Sequence, residues 1–91
     1  MATYTTSRGR TYEFSFEHQS DGSIRPYIVR QPSYGSRDSG CHATHRLHDN
    51  ATGRPYICWD KKLTSVQDAA KVAAGWAART DVYIDTGVWK S

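Results

Sequence analysis

No stretch of the chain approaches the ~18 consecutive apolar residues of a membrane-spanning helix. The segment from Met1 to Arg10 has no apolar run of the kind that marks a secretory signal, so the chain is expected in the cytoplasm. Cysteine is scarce. Cys41 and Cys58 form no Cys-x-x-Cys pair, and in a reducing compartment both are expected as free thiols. No glycine-rich run stands between a strand pattern and a helix pattern, which leaves nucleotide phosphates without a cradle. Charge of one sign does not dominate either: 12 Lys and Arg are interspersed with 9 Asp and Glu, for a net +3. That balance permits contact with nucleic acid without demanding it.

The length of 91 residues allows one domain with one modest core. Apolar residues make up only 37%, but 3 Trp and 6 Tyr offset this, because each aromatic side chain buries a large area. The expectation is a single domain across residues 1–91 with a thin, aromatic-rich core and a loose polar start over residues 1–10.

The strongest periodic signal lies at residues 64–86. As a helix it places Val66, Ala69, Ala70, Ala73, Trp76, Ala77, Thr80, Tyr83 and Ile84 on one side. Thr64 and Gln67 fit a capping box, and Gly87 is a natural stop. Asp81 to Ile84 has strand-like composition, but Tyr83 and Ile84 stay in helical phase, so the helix runs to about Thr86. Val88 and Trp89 then fold back onto the helix end or the sheet.

Upstream, residues 11–18 alternate Tyr12, Phe14, Phe16 and His18 with Thr11, Glu13, Ser15 and Glu17. This is the clearest strand, with its aromatic face toward the helix and its Glu face toward water. Asp21-Gly22 signals a hairpin, and the return strand covers residues 24–31. Pro26 lacks an N–H, which predicts an edge strand or a start at Tyr27. Residues 32–40 form a loop, residues 41–47 a short strand, residues 49–53 a turn and residues 54–59 a further strand. Arg25-Pro-Tyr-Ile and Arg54-Pro-Tyr-Ile nearly repeat, as two similar strands. The fold class is α+β: an antiparallel sheet of three to four strands covered on one face by a single C-terminal helix.

Several groups could carry chemistry. Cys41, His42, His45, His48 and Cys58 are the densest set of metal-ligating types. A zinc site on Cys41, His45, His48 and Cys58 is the alternative to a chain with no cofactor. On a strand, however, Cys41 and His45 share one face while His42 and His48 share the other, which splits the ligands. A cysteine nucleophile would need Cys41 or Cys58 held against a histidine, with Asp49 or Asp60 as orienter, and nothing in the spacing holds them. Glu13 and Glu17 read as solubilising charges rather than an acid–base pair. Asn50-Ala51-Thr52 is a glycosylation sequon by chance. Lys71, Ala74, Gly75 and Ala78 make a small-residue strip on the outer helix side, where mid-helix Gly75 costs about 1 kcal/mol against alanine. Close packing by a partner or by the C-terminal tail would explain it, as would plain tolerance.

Arg25, Arg30, Arg37, Arg46, Arg54, Lys61 and Lys62 all lie outside the helix, interleaved with Tyr27, Tyr34, Tyr56 and Trp59. Such a mixture suits phosphate contact with base stacking, and equally a protein–protein hot spot. The order of elements over residues 11–80 resembles the plant ethylene-response and integrase arm-binding type of DNA-binding domain. That resemblance implies a sheet lying in the major groove, although the loop at 32–40 departs from the pattern. The functional expectation is a small non-enzymatic adaptor or inhibitor acting on a protein or nucleoprotein partner through its sheet or the 32–40 loop. Tyr34, Arg37, Arg30, Arg46, Arg54, Lys61 and Lys62 are the expected partner-binding residues. A phage or mobile-element accessory protein that blocks a host defence complex would have this character. The alternative is a direct DNA- or RNA-binding module using a basic, aromatic sheet surface. Neither involves a membrane or a small-molecule substrate.

Overall fold

A computed structural model describes residues 2–90. The alternating aromatic segment forms β2 (Thr11–His18), with Tyr12 and Phe14 buried and Phe16 partly buried on the helix side. The chain before it is not loose. β1 (Ala2–Thr5) pairs antiparallel with β2 and sets Tyr4 opposite Tyr12. The intervening turn explains why: buried Thr6 bonds across it, N–H to the Arg10 carbonyl at 2.9 Å. Gly9 sits there at φ 82, the left-handed region that glycine enters without strain.

The Asp21-Gly22 hairpin forms as its residues require. Gly22 has φ 84, and the Asp21 carboxylate accepts from the Ser23 N–H at 2.9 Å. It leads into β3 (Ile24–Arg30). β3 is an interior strand rather than the edge strand that Pro26 predicted, and it begins before Tyr27. The Ile24 N–H points away from β2, to the Leu63 carbonyl at 2.7 Å. Strand alternation turns the Pro26 nitrogen to that same side, where only the Tyr27–Tyr56 pair is formed with the next strand. The missing donor therefore falls where β3 has almost no ladder to lose.

Residues 41–47 are not one strand. Cys41–Thr44 makes a single helical turn, α1, and β4 (Arg46–His48) follows. Thr44 decides this locally: its N–H and its hydroxyl both donate to the Gly40 carbonyl, at 3.0 and 2.8 Å. His45 closes the turn at φ 53. β5 is Pro55–Ile57, shorter than the expected strand over 54–59. The sheet thus has five strands, in the order β1-β2-β3-β5-β4 with every pair antiparallel, instead of three to four.

The long helix, α2, spans Val66–Thr86 and confirms the helical reading of Asp81 to Ile84. Its cap is Ser65, whose hydroxyl accepts from the Asp68 N–H at 3.1 Å, one residue later than the expected Thr64–Gln67 box. Gly87 at φ 75 ends it. The buried face is Ala69, Ala73, Trp76, Ala77, Thr80 and Tyr83, as the periodicity predicts. Val66 in the first turn is half exposed, and Ala70 and Ile84 are only partly buried. Trp76 meets Tyr12 and Phe14 edge-on, at centroid distances of 6.0 and 6.1 Å. Ile28, Ile57, Ala73 and Ala77 complete this core.

Asp81 is the buried residue that periodicity missed. Its carboxylate accepts the Tyr12 hydroxyl at 2.8 Å and an Arg10 guanidinium N–H at 3.3 Å. Burial, reinforced by the bond to Asp81, pushes the Tyr12 phenol far up, so it stays neutral and keeps donating. Arg10 also pairs with Asp85 one turn on, which ties the β1–β2 corner to the end of α2. We predict that Asp81→Ala lowers the unfolding free energy by about 1–3 kcal/mol through the orphaned Tyr12 hydroxyl alone. Urea denaturation would measure this, and wild-type stability in the variant would refute the anchoring role.

Candidate binding cleft

The sheet face turned away from α2 holds the charges that the sequence placed on the strands. The two near-repeated segments lie side by side, with Tyr27 opposite Tyr56. Each arginine stacks on the other segment's tyrosine: Arg54 lies 4.0 Å from the Tyr27 centroid and Arg25 lies 4.1 Å from that of Tyr56. Carboxylates hold both cations. Arg54 forks onto Glu17 at 3.0 and 2.5 Å, and Arg25 meets Asp49 at 3.3 Å. Asp49 also accepts the Tyr27 hydroxyl at 2.8 Å. The Arg54 hydrogen bond, then that of Ser15, holds Glu17 below the usual carboxylate range. The Tyr27 hydroxyl and the amides of Ala51 and Thr52 do the same for Asp49. Arg30 faces Glu13 at 3.8 Å and is largely exposed. This face neutralises itself.

The 32–40 loop is occupied by the fold. Tyr34 is buried against Tyr83, and the Arg46 guanidinium lies 5.0 Å from its ring centroid. Arg46 also donates to the Gln31 side chain at 3.0 Å. Arg37 donates to the carbonyls of Ile84 and Asp85, at 3.2 and 2.9 Å, and so satisfies the C-terminus of α2. Tyr83 returns a bond from its hydroxyl to the Asp38 carbonyl at 2.7 Å. Of the residues singled out in the sequence as partner contacts, Arg30, Lys61 and Lys62 are exposed, with Lys62 reaching the Asp21 carbonyl at 2.6 Å.

The cysteine and histidine cluster does not assemble. Among the described residues, no three His, Cys, Asp or Glu side chains converge as metal ligands, so Cys41, His45, His48 and Cys58 form no zinc site. Both cysteines are exposed free thiols. His45 instead lies flat on Trp89, 4.6 Å between centroids and 19° between planes.

That stack is one wall of a cleft of about 470 Å³ between α2 and the end of β5. Ile57, Val72 and Trp76 form its apolar base, and Cys58, Trp59 and Asp60 form the opposite wall. Trp59 is 49% exposed. All 3 tryptophans of the chain line this one cleft. The reasons are local. β5 stops at Ile57 and turns Trp59 outward. Gly87 in the left-handed region sends the tail back, so Trp89 meets His45 and Tyr83. Trp76 points its indole N–H to the Thr44 carbonyl at 3.0 Å, which leaves the rest of the ring for the core and the cleft base. Arg79 lines the cleft from α2 and folds back over Gly75, where a Cβ would lie 2.8 Å from its Nη1. The mid-helix glycine thus makes room for a guanidinium of the same helix. Sequence reading treated Trp76 as core, Trp89 as a returning tail and His45 as a ligand; no local signal joins residues so far apart.

No protein-family model, curated protein or solved structure matches this chain. Among the described residues, no helix is long and apolar enough to cross a membrane.

The depressed carboxylates predict an acid response. A group whose folded pKa is lowered contributes stability above its unfolded value, near pH 4, and loses it as pH falls through the folded value. Glu17, Asp49 and Asp85 are all lowered, by Arg54, Tyr27 and Arg10 respectively. The stability these carboxylates contribute should therefore be full above about pH 5 and fall below about pH 4. Chemical denaturation across pH tests this, and Glu17→Gln with Asp49→Asn should flatten the acid limb.

Proposed function

We propose that this chain is a small non-enzymatic binding protein, an adaptor or inhibitor, that engages a protein or nucleoprotein partner through the tryptophan cleft. The observation that carries this reading is the convergence of Trp59, Trp76 and Trp89 on one open concavity, with Trp59 half exposed. Tryptophan and arginine are the residues that dominate binding energy at protein interfaces, and here Arg79 stands beside the three indoles.

The contact surface in this reading is not the one drawn from sequence. Tyr34, Arg37, Arg46 and Arg54 have intramolecular work, and removing them would disturb the fold along with any partner. A nucleic-acid module using the sheet is the weaker alternative, because Arg25, Arg30 and Arg54 each face a carboxylate that phosphate would have to displace. A role in blocking a host defence complex fits a binding protein of this size and rests on that general character alone.

Affinity capture of tagged protein from its own cells, with and without nuclease, tests the proposal. A stoichiometric protein partner that survives nuclease and is reduced at least about tenfold by Trp59→Ala is the expected result. Recovery of nucleic acid alone, or capture indifferent to Trp59, would sink it. Trp59 is exposed, so its replacement should leave the unfolding transition within about 0.5 kcal/mol of wild type.

A further inference from the structure

The cleft does not stand alone. A shallow depression shares Ile57, Cys58, Trp59 and Asp60 with it and continues to Lys61 and Lys62. On the other side, a second depression shares Arg79 and continues along Gly75, Ala78 and Val82 to Lys90. Through these shared residues the three adjoin as a groove. Its centre is indole and aliphatic carbon, and each end carries exposed cations. Among the described residues, Lys61, Lys62, Arg79 and Lys90 have no carboxylate within ion-pair distance. Two acids lie along the groove. Asp21 turns its carboxylate to the Ser23 backbone and hydroxyl, and Asp60 sits at the junction beside Trp59.

We infer that the groove binds an extended acidic peptide segment of the partner, with one or two large apolar side chains in the tryptophan cleft and carboxylates reaching the cations at either end. This rests on the binding role proposed above and specifies its chemistry. The pattern of the occupant mirrors that of the groove: acidic, apolar, acidic. A single-stranded nucleic acid fits less well for two reasons. The Trp76 indole N–H is already bound to Thr44, so the cleft base offers no donor or acceptor to the polar edges of an inserted base. A strand with one charge per unit also meets Asp60 in mid-groove, whereas a peptide can place an apolar residue there.

The three indoles provide the readout, since all line the cleft and tryptophan emission responds to burial. The probe is the blocked peptide acetyl-Asp-Glu-Leu-Phe-Asp-Glu-amide, titrated at low salt into the intact protein. Controls are the same peptide with lysine at every acidic position, the same peptide with alanine for leucine and phenylalanine, and a twelve-nucleotide oligothymidylate. The acidic peptide is expected to shift the emission saturably with Kd below about 1 mM. It should bind at least about tenfold more tightly than either peptide control, and lose at least about tenfold in Arg79→Glu. Absence of a saturable shift, equal binding of acidic and lysine peptides, or preference for oligothymidylate would each overturn the inference. Competition in the capture experiment separates the two claims. If partner capture needs Trp59 but the acidic peptide neither binds nor competes, the binding role stands and the acidic-peptide assignment falls. If capture ignores Trp59, the binding role itself falls.

Discussion

One indole joins the parts of this molecule. Trp76 projects from the middle of α2, meets Tyr12 and Phe14 edge-on, and spends its N–H on the Thr44 carbonyl. The aromatic contacts fix the helix to β2, and the hydrogen bond reaches the turn that precedes β4. A buried indole without an acceptor would carry a desolvation cost. Thr44 removes that cost because the helical turn at Cys41–Thr44 presents its carbonyl to the core. The same ring is part of the cleft base, so the core and the binding surface share a side chain. Changes at Trp76 cannot be read as changes in binding alone, which makes Trp59 and Arg79 the informative positions.

Electrostatics divide the surface into two kinds of region. On the outer sheet face, arginines from the two related segments stack on each other's tyrosines and are held by Glu17 and Asp49. At the helix end, Arg8, Arg10 and Arg37 are spent on Asp81, Asp85 and the last carbonyls. Among the described residues, Lys61, Lys62, Arg79 and Lys90 have no carboxylate partner and lie along the tryptophan groove. A modest net charge of +3 therefore produces a local positive character in one place.

The 32–40 loop illustrates how composition can mislead. Tyrosine, arginine and small residues on a loop suit a binding surface. Here they do the opposite work: Tyr34 packs inward, Arg37 caps α2 and the Asp38 carbonyl receives the Tyr83 hydroxyl. A helix of 21 residues leaves unpaired carbonyls at its end, and this loop is what lies within reach to satisfy them.

The α+β class, the strand at Thr11–His18, the hairpin at Asp21-Gly22 and the extent of α2 to Thr86 were legible in the sequence. Each is written in periodicity or turn chemistry within a few residues. β1 was not, because an alternation of only four residues is too short to mark a strand by itself and depends on pairing with β2. Pro26 was read correctly as a missing donor, but only the shortness of β5 shows that an interior strand can spare it. Asp81 was invisible as a core residue because its burial rests on Tyr12 and Arg10, some seventy positions away. The binding cleft was the least legible element. His45, Trp59, Trp76 and Trp89 come from four separate segments, and periodicity describes only neighbours along the chain. Their convergence is decided by how α2 crosses the sheet and where Gly87 turns the tail, which is a property of packing between distant parts.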